Sequence, residues 1–179
     1  MSDDGEAARA AAAQLAKHRR LLGSARSGAI LSALMLWAVQ LSPPAGYGVI
    51  TTTGRKTGKR RRKCIRVIRR DDRAYLVQLV PPKVGATRPR AVTGWLLNIR
   101  ANPRVELRIK GGSFQGVARE ITDSAEREVA RSVICDNVYP IDYAEAGLHL
   151  RGLPNRAKIK ALHEYWFDFG HPIVIELGG

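Results

Sequence analysis

Cysteine is scarce in this chain: Cys64 and Cys135 are its only two, far apart in 179 residues. Neither belongs to a C-x-x-C pair or a Cys/His cluster, which removes the usual zinc and dithiol frameworks. Cys64 sits in a strand pattern and Cys135 in a helical one. Both are expected as buried free thiols, as suits a reducing cytoplasm. His18, His149, His163 and His171 are scattered without ligand spacing, so no metal site is expected. No G-x-G-x-x-G occurs, which argues against a Rossmann dinucleotide site. No apolar run reaches the roughly 18 residues that span a bilayer. Acidic residues are few: 16 Asp and Glu stand against 30 Lys and Arg, a net charge of +14. Such an imbalance points to an anionic partner: nucleic acid, an acidic membrane surface or a polyanionic small molecule.

What is present is ordinary in bulk, with 45% apolar and 26% charged residues. The length suits one domain with an added segment. Residues 6 to 22 are rich in strong helix formers, and that helix is expected to end at Gly23. A second, apolar helix over Gly28 to Leu41 stops before Pro43-Pro44. Basic residues followed by a short apolar run have the outline of a signal peptide. The acidic, Ala-rich start and the Ser42-Pro43-Pro44 that follows do not fit one. A helix lying on a membrane or covering an apolar pocket fits better. The reading is an N-terminal helical arm over 1–44 and a main domain over 45–179.

The domain opens on its most charged stretch. Val49 to Thr53 is β-branched, Gly54 to Lys59 is a polar turn with a glycine near each end, and the chain returns through Cys64 to Ile68. That pattern predicts a β-hairpin. Eleven of the nineteen residues from Arg55 to Arg73 are Lys or Arg. Strands are further expected over Ala74–Val80, Val105–Ile109, Phe114–Ile121 and Pro172–Leu177. Helices are expected over Trp95–Ala101, Ser124 to about Asn137 (Asp123 and Glu126 form a capping box), and roughly Asn155–Trp166. The stretch Pro81 to Gly94, with three prolines and two glycines, is expected to lack regular structure. The sum is an α+β domain: a β-barrel of about six antiparallel strands with peripheral helices.

The hairpin turn is not a P-loop. Three residues, not four, separate Gly54 from Gly58, Arg60 stands where Ser or Thr holds magnesium, and a strand follows instead of a helix. What remains is a turn with close backbone approach, the Thr57 hydroxyl, and the charges of Arg55 and Lys56. That set suits a phosphate or carboxylate, and equally a solvated hairpin tip. A nucleic-acid partner is not expected, because no aromatics interleave the basic run for stacking and no recognition helix or RNP motif is visible.

Taken together, Thr51-Thr52-Thr53-Gly54-Arg55-Lys56-Thr57-Gly58, Arg61, and Trp95-Leu96-Leu97-Asn98-Ile99-Arg100-Ala101-Asn102-Pro103 resemble the deazaflavin-dependent nitroreductase and quinone reductase family of actinobacteria. Pro82 to Ala86, Tyr139-Pro140 and Pro172 to Val174 match more weakly. The family is a branch of the split β-barrel flavin-binding proteins. The resemblance implies coenzyme F-420, a deazaflavin with a phospholactyl group and an oligoglutamate tail, with flavin mononucleotide (FMN) as the alternative on the same barrel. It implies hydride transfer to an electron-poor acceptor: a quinone, an activated alkene or a nitro group; the apolar helix over 28–41, the aromatic stretch after residue 139 and the basic surface add a lipid-like substrate. The phosphate side falls to Arg55, Lys56, Thr57, Gly58 and Arg61. The cofactor is packed by Gly94, Trp95, Leu96, Leu97 and Asn98, with Val49, Ile50 and Thr51 at the ring edge and Lys83 near a family lysine. Tyr139 matches a tyrosine that orients the acceptor or donates a proton, and Tyr143 lies nearby on the substrate side.

Four departures are visible. Arg60 and Cys64 replace residues that are usually proline. The Pro81 to Gly94 loop is longer. Later family tyrosines fall on Asp142 and Glu145. Residues 146–169 look inserted. The implied location is cytoplasmic, with the arm of residues 1–44 a candidate for peripheral contact with the inner face of the cell membrane.

Overall fold

The computed structural model describes residues 3–17, 25–80, 82–88 and 91–178. The barrel is built from β1 (Tyr47–Thr53), β2 (Arg60–Arg70), β3 (Arg73–Gln78), β4 (Arg104–Ile109), β5 (Gly112–Glu120) and β6 (His171–Leu177). The strands close in the order β1-β2-β3-β6-β5-β4, every neighbouring pair antiparallel. The helices are α1 (Asp3–Lys17), α2 (Ala25–Leu41), α3 (Pro82–Gly85), α4 (Gly94–Ala101), α5 (Ser124–Asp136), α6 (Pro140–His149) and α7 (Arg156–Phe169).

Period-two alternation sorts the strand residues into two populations. Ile50, Leu76, Leu107, Ile173 and Ile175 point inward, and with Leu96 and Ile99 of α4 they form the barrel core. The opposite face of β2, β3 and β6 (Ile68, Tyr75, Val174) packs on α5 and on Phe167 of α7. On β1 and β2 the outward residues Tyr47, Val49 and Cys64 are covered by Val39, Met35 and Leu36 of α2. Each fully buried Leu or Ile contributes about 2 kcal/mol. This three-sided burial is why strands β1, β3 and β6 read as nearly continuous apolar runs.

The expected strands and helices recur with shifted ends. The expected end of the first helix at Gly23 lies outside the described residues. Two expectations are corrected. The segment after β3 holds one helical turn, α3, which packs against α1. A full helix, α6, occupies residues 140–149, for which no element was expected. Pro140 sets its first turn, and Asp142 reaches back to accept from the Tyr139 N–H at 2.7 Å. The segment between β6 and α5's end is therefore a packed two-helix layer, with Ala146, Leu150, Ile159, Leu162 and Trp166 buried together.

Gly46, just before β1, has φ +86°, and a Cβ there would lie 2.5 Å from Cδ2 of Tyr139. Gly46→Ala combines a left-handed backbone penalty with a clash against a half-buried ring. It is expected to cost about 2 kcal/mol or more, read as a lowered denaturant midpoint.

Candidate functional site

The ladder between β1 and β2 runs from Tyr47↔Arg66 to Thr53↔Arg60. On its other side β2 pairs with β3 only from Val67 to Arg70. The N-terminal half of β2 thus leaves the barrel at a split, and a cleft of about 530 Å³ lies there. Ile50, Thr52 and Gly54 of the hairpin line it, with Arg55, Lys56, Thr57, Arg61, Arg62 and Lys63. Gly94, Trp95 and Asn98 of α4 and Ala33 and Leu36 of α2 complete the wall.

The turn at the head of the cleft is held by its own backbone. Gly54 N–H donates to Lys59 O at 2.9 Å and Gly58 N–H to Gly54 O at 2.7 Å. Gly58 has φ +66°, open to glycine without strain. Asn98 then fixes the turn to α4. Its Oδ1 accepts from the Arg55 backbone N–H at 3.1 Å and from Arg55 Nη1 at 3.4 Å, while its Nδ2 donates to Thr52 Oγ1 at 3.3 Å. Arg55 Nη1 also reaches Gly94 O at 3.4 Å. Asn98 is buried, so every one of these polar groups has a partner in place of water.

α4 itself is aimed by Gln78, which is fully buried and accepts from the Thr93 N–H at 3.1 Å. Pro103 stops the helix, after Asn102 N–H closes on Asn98 O at 2.8 Å. At its start the Thr93 hydroxyl is buried with no hydrogen-bond partner among the described residues. Lys63 is half-buried, and desolvation lowers its pKa. The cleft therefore offers several cations, the Thr57 hydroxyl, the start of α4 and an apolar wall: a site for a ligand that is anionic at one end and apolar at the other.

Of the residues singled out by sequence, Ile50, Arg55, Lys56, Thr57, Arg61, Gly94, Trp95 and Asn98 come together in the cleft. Gly58 shapes the turn. Val49 and Thr51 face outward, Val49 beneath α2, and Leu96 belongs to the barrel core. Leu97 is half-buried outside the cleft lining, and Lys83 sits exposed on α3. Tyr139 packs its ring on Gly46, and Tyr143 is exposed on α6; neither lines the cleft. Sequence reasoning missed Thr52, Arg62 and Lys63, although Thr52 alternates with Ile50 and Lys63 is Ile50's cross-strand partner. Ala33 and Leu36 carried no local signal.

A second polar cluster lies behind the cleft, between α6 and the barrel. Arg66 pairs with Asp142 (Nε to Oδ1, 3.1 Å) and donates to Ile134 O at 3.1 Å and Asn137 O at 2.7 Å. His163 Nε2 is 4.0 Å from the same carboxylate, and burial pushes its pKa down to about 3, so it is neutral. Burial raises the Glu145 carboxyl to about 7 against the opposing pull of Tyr47 and Arg66, and burial likewise raises Tyr47. Unfolded, Glu145 titrates near about 4.3. The native state thus holds its proton more tightly, and stability falls as pH rises between those values, then levels off. The side chain keeps 17% of its surface exposed, which limits the drop to the order of 2 kcal/mol. Glu145→Gln is expected to flatten the melting temperature between pH 5 and about 7 relative to wild type.

A closed six-stranded antiparallel barrel with a basic cleft beside β2 defines a split β-barrel fold. Residues 39–147 match the model of the F-420H(2)-dependent quinone reductase family, and the chain belongs to that family of F-420-dependent reductases. Among solved structures, one described as a domain-swapped dimer aligns at 21% identity and TM-score 0.51, over 82% of this chain and 91% of that one. An F-420H2-dependent reductase, FDR-A, aligns at 22% identity and TM-score 0.46, over 74% and 94%. A FAD-binding protein from Mesorhizobium loti aligns at 16% identity and TM-score 0.43, over 83% and 89%.

Proposed function

We propose that this enzyme passes a hydride from reduced coenzyme F-420 to an electron-poor acceptor of the quinone or activated-alkene type, with a lipid-like acceptor fitting best. One observation carries the reading: the Arg55–Thr57 turn is locked onto α4 by Asn98, which sets a fixed cationic head beside an apolar wall. The donor set fits the coenzyme. Arg55, Lys56 and Thr57 would hold its phosphate, and the exposed cations Arg61 and Arg62 would face its acidic tail. When bound, the coenzyme supplies the hydride. Ile50, Trp95 and Leu36 would pack its ring system and exclude water. Lys63, half-desolvated by its surroundings, would add a cation close to the ring. Leu36 and Ala33 of α2 leave the acceptor an apolar approach. Tyr139 and Tyr143 stay outside this arrangement, so the proposal places neither in contact with the acceptor.

A pair of titrations tests the cofactor. Quenching of F-420 fluorescence by the wild-type protein is expected at concentrations where FMN gives no saturable response. Saturable FMN binding with no F-420 binding would transfer the reading to a flavin mononucleotide enzyme.

A further inference from the structure

The cleft holds one cation whose place the anionic head does not explain. Lys63 lies across the β1–β2 ladder from Ile50, on the row that runs from exposed Arg61 to Ile65 of the barrel core. Period-two alternation therefore sets it where the basic mouth gives way to the apolar interior. It is half-buried, whereas Arg55, Lys56, Arg61 and Arg62 are exposed. No carboxylate pairs with it among the described residues. In the described lining, β1, α4 and α2 present no ionisable side chain. The groups around it are thus those four cations and Cys64, which faces the other way beneath α2. Burial lowers the Lys63 pKa, opposed by Cys64. An ammonium that is partly desolvated and has no counter-charge holds its proton weakly.

The reaction proposed above needs such a proton, and the inference rests on that reading. A quinone that has gained a hydride carries negative charge on oxygen and becomes product only when a proton follows. Among the described residues that line the cleft there is no carboxyl, histidine, tyrosine or cysteine. Guanidinium groups do not release a proton near neutral pH. Lys56 stands exposed in the turn at the head of the cleft, away from the apolar wall. We propose that Lys63 is the proton donor to the reduced acceptor. The hydride brings the acceptor two electrons; the Lys63 Nζ–H bond breaks and an O–H bond forms on the acceptor oxygen. The amine, left neutral, takes a proton back from water once the product has gone. With an activated alkene the same proton goes to the enolate. Lys63 thus differs from a fixed cation in that it loses and regains a proton in every turnover.

Two measurements test it. In the cofactor-free protein, carbon-13-methylated lysine resonances are followed against pH, with Lys63 assigned by its absence in Lys63→Arg. Lys63 is expected to titrate below the other lysines; titration together with them would overturn the proposal. The second measurement is turnover of F-420H2 with a water-soluble naphthoquinone. Lys63→Met is expected to lower kcat by about 100-fold with little change in KM. It is also expected to lose the fall in rate that wild type shows as pH rises through the Lys63 pKa. Lys63→Arg keeps the charge but has no proton to give, and is expected not to restore the rate. A rate restored by arginine would assign Lys63 to fixed charge and overturn proton donation. F-420 quenching, expected to be retained in both variants, separates the two readings. Intact quenching with wild-type turnover in Lys63→Met would overturn this inference alone, and so would quenching lost in that variant only, which would assign Lys63 to binding. Absence of quenching by the wild-type protein would overturn the reductase reading and this inference with it.

Discussion

Arg55→Ala/Lys56→Ala is expected to weaken coenzyme F-420 binding by about 100-fold or more, while the melting curve stays close to wild type. Both side chains are exposed, so the barrel loses little packing. Charge-assisted hydrogen bonds contribute about 1.5–3 kcal/mol each, and two together exceed a hundredfold in affinity. The backbone bond from Arg55 N–H to Asn98 survives the substitution, so the turn keeps its shape. Loss of affinity would therefore report charge at the cleft head and not collapse of the hairpin. Fluorescence titration at two salt concentrations gives the check. An unchanged dissociation constant would remove the phosphate from this turn and with it the main support for the proposed orientation.

The second large effect concerns stability. Asp142 has no exposed side-chain surface and Arg66 only 11%. Breaking one side of a buried pair leaves the other charge uncompensated, at a cost of about 3–5 kcal/mol. Arg66 also ties together β2, the end of α5 and the segment before α6 through its two backbone acceptors. Asp142→Asn keeps the shape and removes the charge. It is expected to lower the melting temperature by about 6–15 °C. Replacing both partners, Arg66→Met/Asp142→Leu, is expected to recover much of that loss, because the unpaired charge disappears. If Asp142→Asn melts with wild type, the pair does not hold α6 in place. This also gives a physical reason for an acid where the family resemblance led one to expect a tyrosine. At this position the chain needs a counter-charge for Arg66 more than another phenol.

Asn98 shows how far a local pattern carries and where it stops. The motif around it was readable as a short helix closed by Pro103, and the turn around Gly54 as a hairpin tip. Neither stretch says that Asn98 Oδ1 accepts from Arg55, forty-three residues away in sequence. Tyr139 illustrates the reverse. Only the family resemblance assigned it a role beside the acceptor; the structure packs its ring on Gly46, whose missing side chain makes the room. α6 was hidden because Pro140 and the mixed sequence after it read as a break. Pro140 in fact occupies the first helical turn, where its missing N–H costs nothing.

The sequence by itself determined the six strands, the basic hairpin and its unsuitability as a P-loop, and the absence of paired cysteines. Those properties follow from residue type and spacing within a dozen positions, where alternation, glycine and charge act directly. Only the tertiary structure decided that β2 joins β3 no earlier than Val67, which opens the cleft, and that α2 supplies one of its walls. It also decided that Asp142 answers Arg66 and that Lys63 comes to line the cleft. Each of these depends on closing the barrel. Closure sets which strand faces meet which helices, and no local periodicity encodes a contact between segments that only the finished sheet brings together.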